Sequence, residues 1–434
     1  MTDSRKILIS GAGIAGTVFS YWLGRAGIHT TIVERSPHLR TQGQTIDIRG
    51  KARRIISEMG VEQTIRDACT HEEGLYFVNE ADGILGSFPV DQESGKSAAC
   101  DIEILRYKLV SIFVEASKDT TEYIFNDSIK SMEQGEEQEG VLVEFESGKR
   151  ERYDVVVLAD GMFSRARSLV FPKEGEENEI RYEPLGIKTA YFSIPYVPEE
   201  DGVWSRWWLA SGARNMWLRP DGKSSTPTTR AFLMTRNKEA LRRFADYRKM
   251  DVAGQKKIWR DVYSGCGWKT QRVLDGMDAA TGSEEDDFYM QDVAQIKTKK
   301  WSQGRVVLLG DAGYCPSPLS GMGTSTAIVG AYVLAQELAK QPNWADAQQV
   351  QIAFEAYDKI CRPYIEDAQD IPKILFKLAY PDSAVAVKVV QVLIRVVSVV
   401  VNSAWVKGVM DKVFGGGGEE DKLLRLPEYG EVRR

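Results

Sequence analysis

Lys6-Ile7-Leu8-Ile9-Ser10-Gly11-Ala12-Gly13-Ile14-Ala15-Gly16 reads as a buried strand that passes through a glycine turn into a helix. Gly11 permits the tight turn, Gly13 lets the backbone come within hydrogen-bonding reach of a pyrophosphate, and Gly16 lets the helix lie close on the strand. The helix start, at Ile14 and Ala15, offers free N–H groups to phosphate oxygens. A glycine pattern alone is weak, so its surroundings carry the assignment. The helix expected over 14–25 stops at Gly27, and a strand follows at 30–33. Glu34, with Arg35 beside it, then falls where an acid accepts hydrogen bonds from an adenosine ribose. A glycine-rich turn with no ligand would not require these pieces in this order.

The 434 residues suffice for two or three domains with a large core. Hydrophobic residues at 43% and charged residues at 27% are ordinary for a globular protein. A formal charge of -6 argues against a nucleic-acid partner. Cys69, Cys100, Cys266, Cys315 and Cys361 are scattered and form no Cys-x-x-Cys pair, which argues against a disulfide framework or zinc site and for a reducing compartment. With Asp3, Arg5 and Lys6 directly before the first strand, no signal peptide is expected. The expected location is the cytoplasm, and no metal site is expected.

After Glu34 comes Gly43 to Gly50, Gly-Gln-Thr-Ile-Asp-Ile-Arg-Gly, then a helical pattern through Arg54, Ile55, Ile56 and Met59. Strands expected at 75–79 and 84–88 flank Asp82-Gly83, a tight-hairpin signal. A hairpin there implies a second sheet beside the first. Residues 101–117 read as a helix: Ile104, Leu105, Leu109, Ile112 and Phe113 form a stripe at helical period, and Arg106 lies off it. Strands follow at 123–125 and 141–145, and the apolar run 155–158 leads into Ala159-Asp160-Gly161 as a buried parallel strand would.

From about 179 to 291 the texture changes to aromatic-rich strands, expected at 189–194, 204–209, 216–218, 231–235 and 289–293, with helices near 237–247 and 253–264. This pattern predicts a mainly antiparallel sheet that covers the first domain. Trp204, Trp207, Trp208 and Trp217 crowd into it. Core packing explains any one of them, while the cluster suits a flat, π-rich pocket wall. Trp204, Arg206 and Trp208 share one strand face by their period of two, and with Met216 and Pro318 they are the candidates for substrate contact. Facing inward, Arg206 would pair with a phenolate or enolate. Facing outward, it is a solvated arginine, and the spacing leaves both open.

The chain then returns to its first texture. The buried strand expected over 305–309 ends in Gly310-Asp311-Ala312-Gly313, and Pro316 to Thr324 leads into a long apolar helix through Leu338. This second glycine turn sets another helix start near a ligand. Asp311 stands where a carboxylate could bind hydroxyls of a ribityl chain.

Together these motifs resemble the class A FAD-dependent aromatic monooxygenases, the para-hydroxybenzoate hydroxylase-like family. Gly11 to Gly16 with Glu34 is similar to its dinucleotide fingerprint, Ala159-Asp160-Gly161 with Ser164 and Arg167 to its Asp-Gly motif, and Gly310-Asp311-Ala312 to its Gly-Asp motif. Within the family, Gly43-Gln44-Thr45-Ile46-Asp47 and Ile104-Leu105-Arg106 look most like the tetracycline-modifying branch. The resemblance covers residues 6–364. It implies an α/β fold with a Rossmann-type FAD-binding domain (1–74, 100–178 and 292–370) and an antiparallel-sheet substrate domain (75–99 and 179–291). A C-terminal helical extension and tail (371–434) would follow.

It also implies bound FAD, NADPH or NADH as a transient reductant, O2, and an aromatic or polycyclic small-molecule substrate. By this similarity Gln44, Asp47 and Arg106 belong to the flavin site, with Arg106 at the ribityl-phosphate part. Asp160 would support the pyrophosphate and reductant site, and Asp311 would hold the ribityl hydroxyls. Gly321 and Gly323 would bring backbone N–H groups to the flavin ring. Met322 stands where the family often has glutamine, so only backbone donation carries over. The family's chemistry is centred on the flavin and asks little of acid–base side chains. That suits a chain whose only three histidines are His29, His38 and His71. A Ser-His-Asp hydrolase or histidine-ligated metal site would be hard to build from them. No catalytic side chain is assigned beyond Arg206 as a candidate charge partner.

Beyond Arg362-Pro363, residues 371–414 are rich in valine and carry Lys373, Lys377, Lys388, Arg395, Lys407 and Lys412. Lys388 and Arg395 interrupt the apolar stretches, short of the roughly 18 to 20 clean residues a spanning helix needs. Helices packed along the domain seam, or a basic amphipathic helix in peripheral contact with a membrane, both fit. The glycine run 415–418 reads as a flexible joint before a solvated end. Three functions suit the whole. One is hydroxylation of a polycyclic or phenolic molecule in secondary metabolism or detoxification. The others are epoxidation of an isoprenoid and flavin-dependent ligand binding without turnover. The chain lacks a Trp-x-Trp-x-Ile-Pro motif, which argues against halogenation.

Overall fold

The computed structural model describes residues 5–40, 44–70, 72–90, 100, 102–135, 140–171, 180–222, 226–282, 286–402 and 424–427. Gly43, His71, Lys407, Lys412 and the glycine run 415–418 lie outside the described residues.

Ile7–Ser10, buried at every position, is an inner strand of a six-stranded sheet. Thr30–Glu34 and Val155–Leu158 flank it in parallel. Thr121–Phe125 and Val306–Leu308 extend the sheet in parallel, and Ser302–Gln303 closes one edge antiparallel. Uninterrupted runs such as Val155–Leu158 belong to strands covered on both faces. Helices Ile14–Arg25 and Gly323–Ala339 supply one cover, packed into a common core with Phe19, Trp22, Ile328 and Leu334. A three-stranded meander, Ile129–Gln134, Val141–Phe145 and Arg150–Tyr153, supplies the other. The sequence pattern showed only its middle strand. The chain leaves Ile7–Ser10 towards Thr30–Glu34 on one side and returns at Val155–Leu158 on the other. An open parallel sheet binds its ligand at such a reversal, beyond the carboxyl ends of the strands.

The second sheet has seven strands. Its order is Tyr289–Thr298, Ile180–Pro195, Thr228–Thr235, Arg214–Asp221, Ser205–Ala210, Gly74–Val78 and Ile84–Pro89. All its pairings are antiparallel except Ser205–Ala210 with Gly74–Val78. The hairpin expected at Asp82-Gly83 forms its edge, with Asp82 at φ 62°. Helices Lys238–Arg243, Val252–Tyr263 and Thr270–Ala279 bury one face under Phe244, Trp259, Tyr263 and Met277. The third of these helices had no counterpart in the sequence pattern. Strand Tyr289–Thr298 reaches back to the segment that follows Val306–Leu308: Thr298 Oγ1 donates to Gly313 O at 2.8 Å and Ile296 N to Cys315 O at 3.1 Å.

One expectation needs correction. The helix expected over 101–117 begins only at Arg106, because Glu103–Leu105 is a strand paired antiparallel with Thr45–Asp47. Ile104 and Leu105 fit a helical stripe and a short buried strand equally well, and the available partner strand decides. Helices Ala347–Gln369, Lys373–Ala379 and Ala384–Asn402 complete the chain, and Leu424 and Leu426 are buried in the core of the first sheet. Among the described residues no helix is long and apolar enough to cross a membrane.

Candidate functional site

The strand ends bring three distant turns into contact. A methyl group on Gly11, at φ +110°, would stand 2.6 Å from Ala159 O and 2.9 Å from Asp160 Cα. One on Gly310, at φ +64°, would stand 2.9 Å from Ala15 Cβ. Arg167 ties the second turn to the third, donating from Nη1 to Ala312 O at 2.5 Å and from Nη2 to Met162 O at 3.1 Å. Gly16 presses the helix onto the turn: a methyl there would lie 2.3 Å from Gly11 O.

Gly13 differs from these. Among the described residues the only neighbour within 4 Å of a methyl there would be Arg106 Nη2, at 3.7 Å. The helix that follows has no side-chain cap and no acid in its first turn. An open backbone edge, a helix start and a guanidinium above it make an anion cradle. Arg106 reaches it as the first residue of its own helix, its N–H donating to Gln44 O at 3.1 Å. Glu34 is aimed at the same turn, accepting from Ala12 N at 3.1 Å and Ser36 N at 3.0 Å. Arg35 is exposed at the rim.

Two carboxylates test whether FAD fits. Asp160 Oδ1 is buried with no hydrogen-bond partner. Burial raises the Asp160 carboxyl above the ordinary range, against the hydrogen bond from Ser164 and the charge of Arg167. Asp311 has solvent-accessible surface, yet the protein around it desolvates the carboxyl and raises its pKa, against the charge of Arg106. Such an acid lines the inside of a cleft, where ligand hydroxyls could satisfy it. Gly321 has nothing within 4 Å of its methyl position, and Gly323 only Pro316 Cγ at 4.0 Å, so this loop also presents bare backbone to open space. Met322 is half-buried before the long helix and packs on the main core. Asp47 is engaged by Arg49 at 2.8 Å. The residues present therefore fit FAD: an open backbone edge at Gly13 beneath Arg106, the Glu34 carboxylate at the same turn, the Asp311 carboxylate and bare backbone at Gly321 and Gly323.

The seven-stranded sheet supplies the opposite wall. Tyr289, Tyr191, Phe232, Trp217, Trp207 and Phe77 are consecutive register partners across six strands. Tyr289 and Tyr191 stack at 4.8 Å, Trp217 and Trp207 at 4.8 Å, and Trp207 and Phe77 at 5.5 Å. Phe232 meets Tyr191 and Trp217 edge-on at 4.8 and 5.4 Å. Direct cross-strand pairing puts all of them on one face. The Tyr289 hydroxyl donates to Gln44 Oε1, so this end of the row touches the cradle. Leu319, Phe376 and Tyr380 pack on the same face. Beside the row Arg219 lies 4.3 Å over Trp217 and is held by Glu72, at 3.1 and 3.3 Å, and by Glu103. Burial raises the Glu72 carboxyl against the charge of Arg219. Arg230, the register partner of Arg219, pairs with Asp287. The row is thus aromatic throughout but not one plane, with Tyr191 and Phe232 buried in it, and both flanking cations are paired with carboxylates.

The substrate candidates chosen on the period of two fall on the other face. Trp208 and Met216 are buried beneath the helices with Trp259 and Tyr263. Arg206 donates to Asp201 O at 2.6 Å and lies 3.7 Å from Asp82. Trp204 stacks on Tyr76 at 4.3 Å and donates to Glu73 at 3.2 Å. The reason is parity: Trp207, one residue along, carries the cleft face. Pro318 is exposed on the loop beside Leu319. The missed wall residues had a legible signal, since aromatic residues recur on six neighbouring strands, but their alignment required the register. Among the described residues no group of His, Cys, Asp and Glu could hold a metal ion.

Comparison with known proteins gives the same picture. A family model described as an FAD binding domain matches residues 4–371. The FAD-dependent monooxygenase asL6 of Sarocladium schorii is 34% identical over 445 residues, covering 98% of each chain. A flavin-dependent monooxygenase of Legionella longbeachae is 36% identical over 369 residues, covering 85% of this chain and 88% of its own. The crystal structure of tetracycline destructase Tet(51) superposes with a TM-score of 0.74 at 30% identity, covering 98% of this chain and 100% of that one.

Proposed function

Because the chain belongs to the FAD-binding family of flavin-dependent monooxygenases, we propose that it oxygenates a flat, uncharged polycyclic or phenolic molecule, with NADPH or NADH as transient electron donor. The observation that carries this reading is the unbroken aromatic row from Tyr289 to Phe77, which begins at the cradle. Aromatic pairs contribute about 0.5–1.5 kcal/mol each beyond the area they bury, so an aromatic substrate gains from each half-buried ring of the row that it meets. Arg219 and Arg230 already have carboxylate partners, so an anionic substrate finds no unpaired charge in either. The likeness to a structure named for tetracycline, a polycyclic molecule, supports the same substrate class. A role in secondary metabolism or detoxification belongs to this proposal.

Gly13 and Arg106 would hold the pyrophosphate, Glu34 the ribose, Asp311 the ribityl hydroxyls and the Gly321–Gly323 backbone the ring. When bound, FAD supplies the redox chemistry, accepting hydride and activating dioxygen. Overall one oxygen atom enters the substrate and the other leaves as water, with the nicotinamide oxidised. The chain's own work is positioning and exclusion of water. Tyr289 contributes a neutral hydroxyl, because burial raises its pKa well above the ordinary phenol value.

The test is nicotinamide oxidation with a panel of polycyclic phenols under 18O2, read by product mass. One heavy oxygen in an aromatic product is expected. Oxygen placed on an isoprenoid alkene would replace hydroxylation with epoxidation. A flavin that neither nicotinamide reduces, whatever the ligand, would leave a binding protein.

A further inference from the structure

Helix Ala384–Asn402 lies along the open edge of the seven-stranded sheet. Ser398 Oγ accepts from Ser87 N at 2.9 Å, and Asn402 Nδ2 donates to Ser87 O at 2.7 Å. The helix thereby satisfies backbone groups that an edge strand would leave unpaired. A methyl on Gly86 would stand 2.9 Å from Ile394 Cγ2, so the contact is close, and Val387 and Val390 are buried on the same side.

The outer side has no such partner among the described residues. Eight hydrophobic residues between Val385 and Val400 are exposed there, Val385 at 73% and Val399 at 72%. At helical spacing they span about 160° of the circumference. One partner helix covers a seam of two positions in seven, so this face is broader than a second copy's helix would fill. Lys388 and Arg395, both exposed and one heptad apart, border it on one edge. Residues 373–402 carry Lys373, Lys377, Lys388 and Arg395 against the single acid Asp382, in a chain whose net charge is -6. A broad apolar face with a basic border suits the interface of an anionic bilayer.

We propose that helix Ala384–Asn402 lays its outer face on an anionic lipid membrane surface without crossing it. The helix stands beyond Phe77, at the end of the aromatic row opposite Tyr289 and Gln44. Docking there leaves the cofactor cradle uncovered.

The full chain, loaded with FAD, is sedimented with phosphatidylcholine vesicles with and without phosphatidylserine. Binding to the serine-lipid vesicles and release by salt are expected. Each cation near the surface contributes about fivefold, so Lys388→Gln with Arg395→Gln should weaken binding about 25-fold. Val389→Ser with Val396→Ser should also weaken it, with flavin spectrum and melting temperature unchanged because these side chains point away from the sheet. Absence of binding to either vesicle, equal binding to both, or binding indifferent to the valine changes would overturn the proposal. So would a dimer seen by light scattering that the valine changes dissociate.

Discussion

Replacing Gly13 and Gly16 separately by alanine divides cofactor binding from folding within a single turn. At Gly16 the new methyl would stand 2.3 Å from Gly11 O and 3.1 Å from Ile9 Cγ2. The obstacle is backbone, so helix Ile14–Arg25 must retreat from its strand, an overpacking that costs roughly 1–3 kcal/mol. At Gly13 the nearest atom is Arg106 Nη2 at 3.7 Å, and φ of -90° suits any residue. The fold accepts that methyl and gains about 0.4–1 kcal/mol from a less flexible unfolded chain. The same methyl fills the space beneath Arg106 through which a phosphate must reach the backbone. Loss of one charge-assisted hydrogen bond, at about 1.5–3 kcal/mol, weakens FAD binding about 10- to 150-fold. Melting of each FAD-free variant and titration with FAD by fluorescence separate the two effects. A Gly13→Ala protein that binds FAD like its parent would refute the cradle. A Gly16→Ala protein that melts like its parent would refute the packing argument.

Asp311→Ala should strip FAD, and normal flavin content would contradict the assignment of that turn. Asp311 is exposed by surface area, yet desolvation by the protein around it raises the carboxyl in the folded chain. Its contribution to stability is therefore complete below the ordinary carboxylate value, about 3.9, and lost as pH rises through the raised value. In the FAD-free protein Asp311→Asn should flatten the fall of melting temperature across that window, and an unchanged profile would contradict the desolvation of that carboxyl. Trp217→Ala should raise KM up to about tenfold by removing one ring contact with substrate, at about 0.5–1.5 kcal/mol, while flavin content holds, whereas Arg206→Ala should leave KM unaltered. The opposite pattern in nicotinamide oxidation would put the substrate on the other face of the sheet.

The parallel sheet was legible because buried strands such as Val155–Leu158 are apolar throughout and end in glycine turns whose geometry tolerates few substitutes. The cradle was legible for the same reason: Gly11, Gly13 and Gly16 each answer a different steric demand. The aromatic wall was legible only as a crowd of tryptophans. Trp207 and Trp208 are adjacent, so the period of two assigns them to opposite faces without saying which face meets the cleft. Only the pairing of Trp207 with Phe77 and Trp217 resolves it. Likewise Leu105 and Arg106 gave no sign that one ends a strand and the next begins a helix, because that boundary is set by Thr45–Asp47 across the ladder.

The crystal structure of the FAD complex is the most direct test of convergence at one cleft. A pyrophosphate oxygen is expected about 3 Å from Gly13 N, beneath Arg106, with the ribityl chain at Asp311 and the ring between Gly321–Gly323 and the Tyr289 end of the aromatic row. FAD that leaves Gly13 and Asp311 untouched, or a ring set against Trp204 and Trp208, would contradict it.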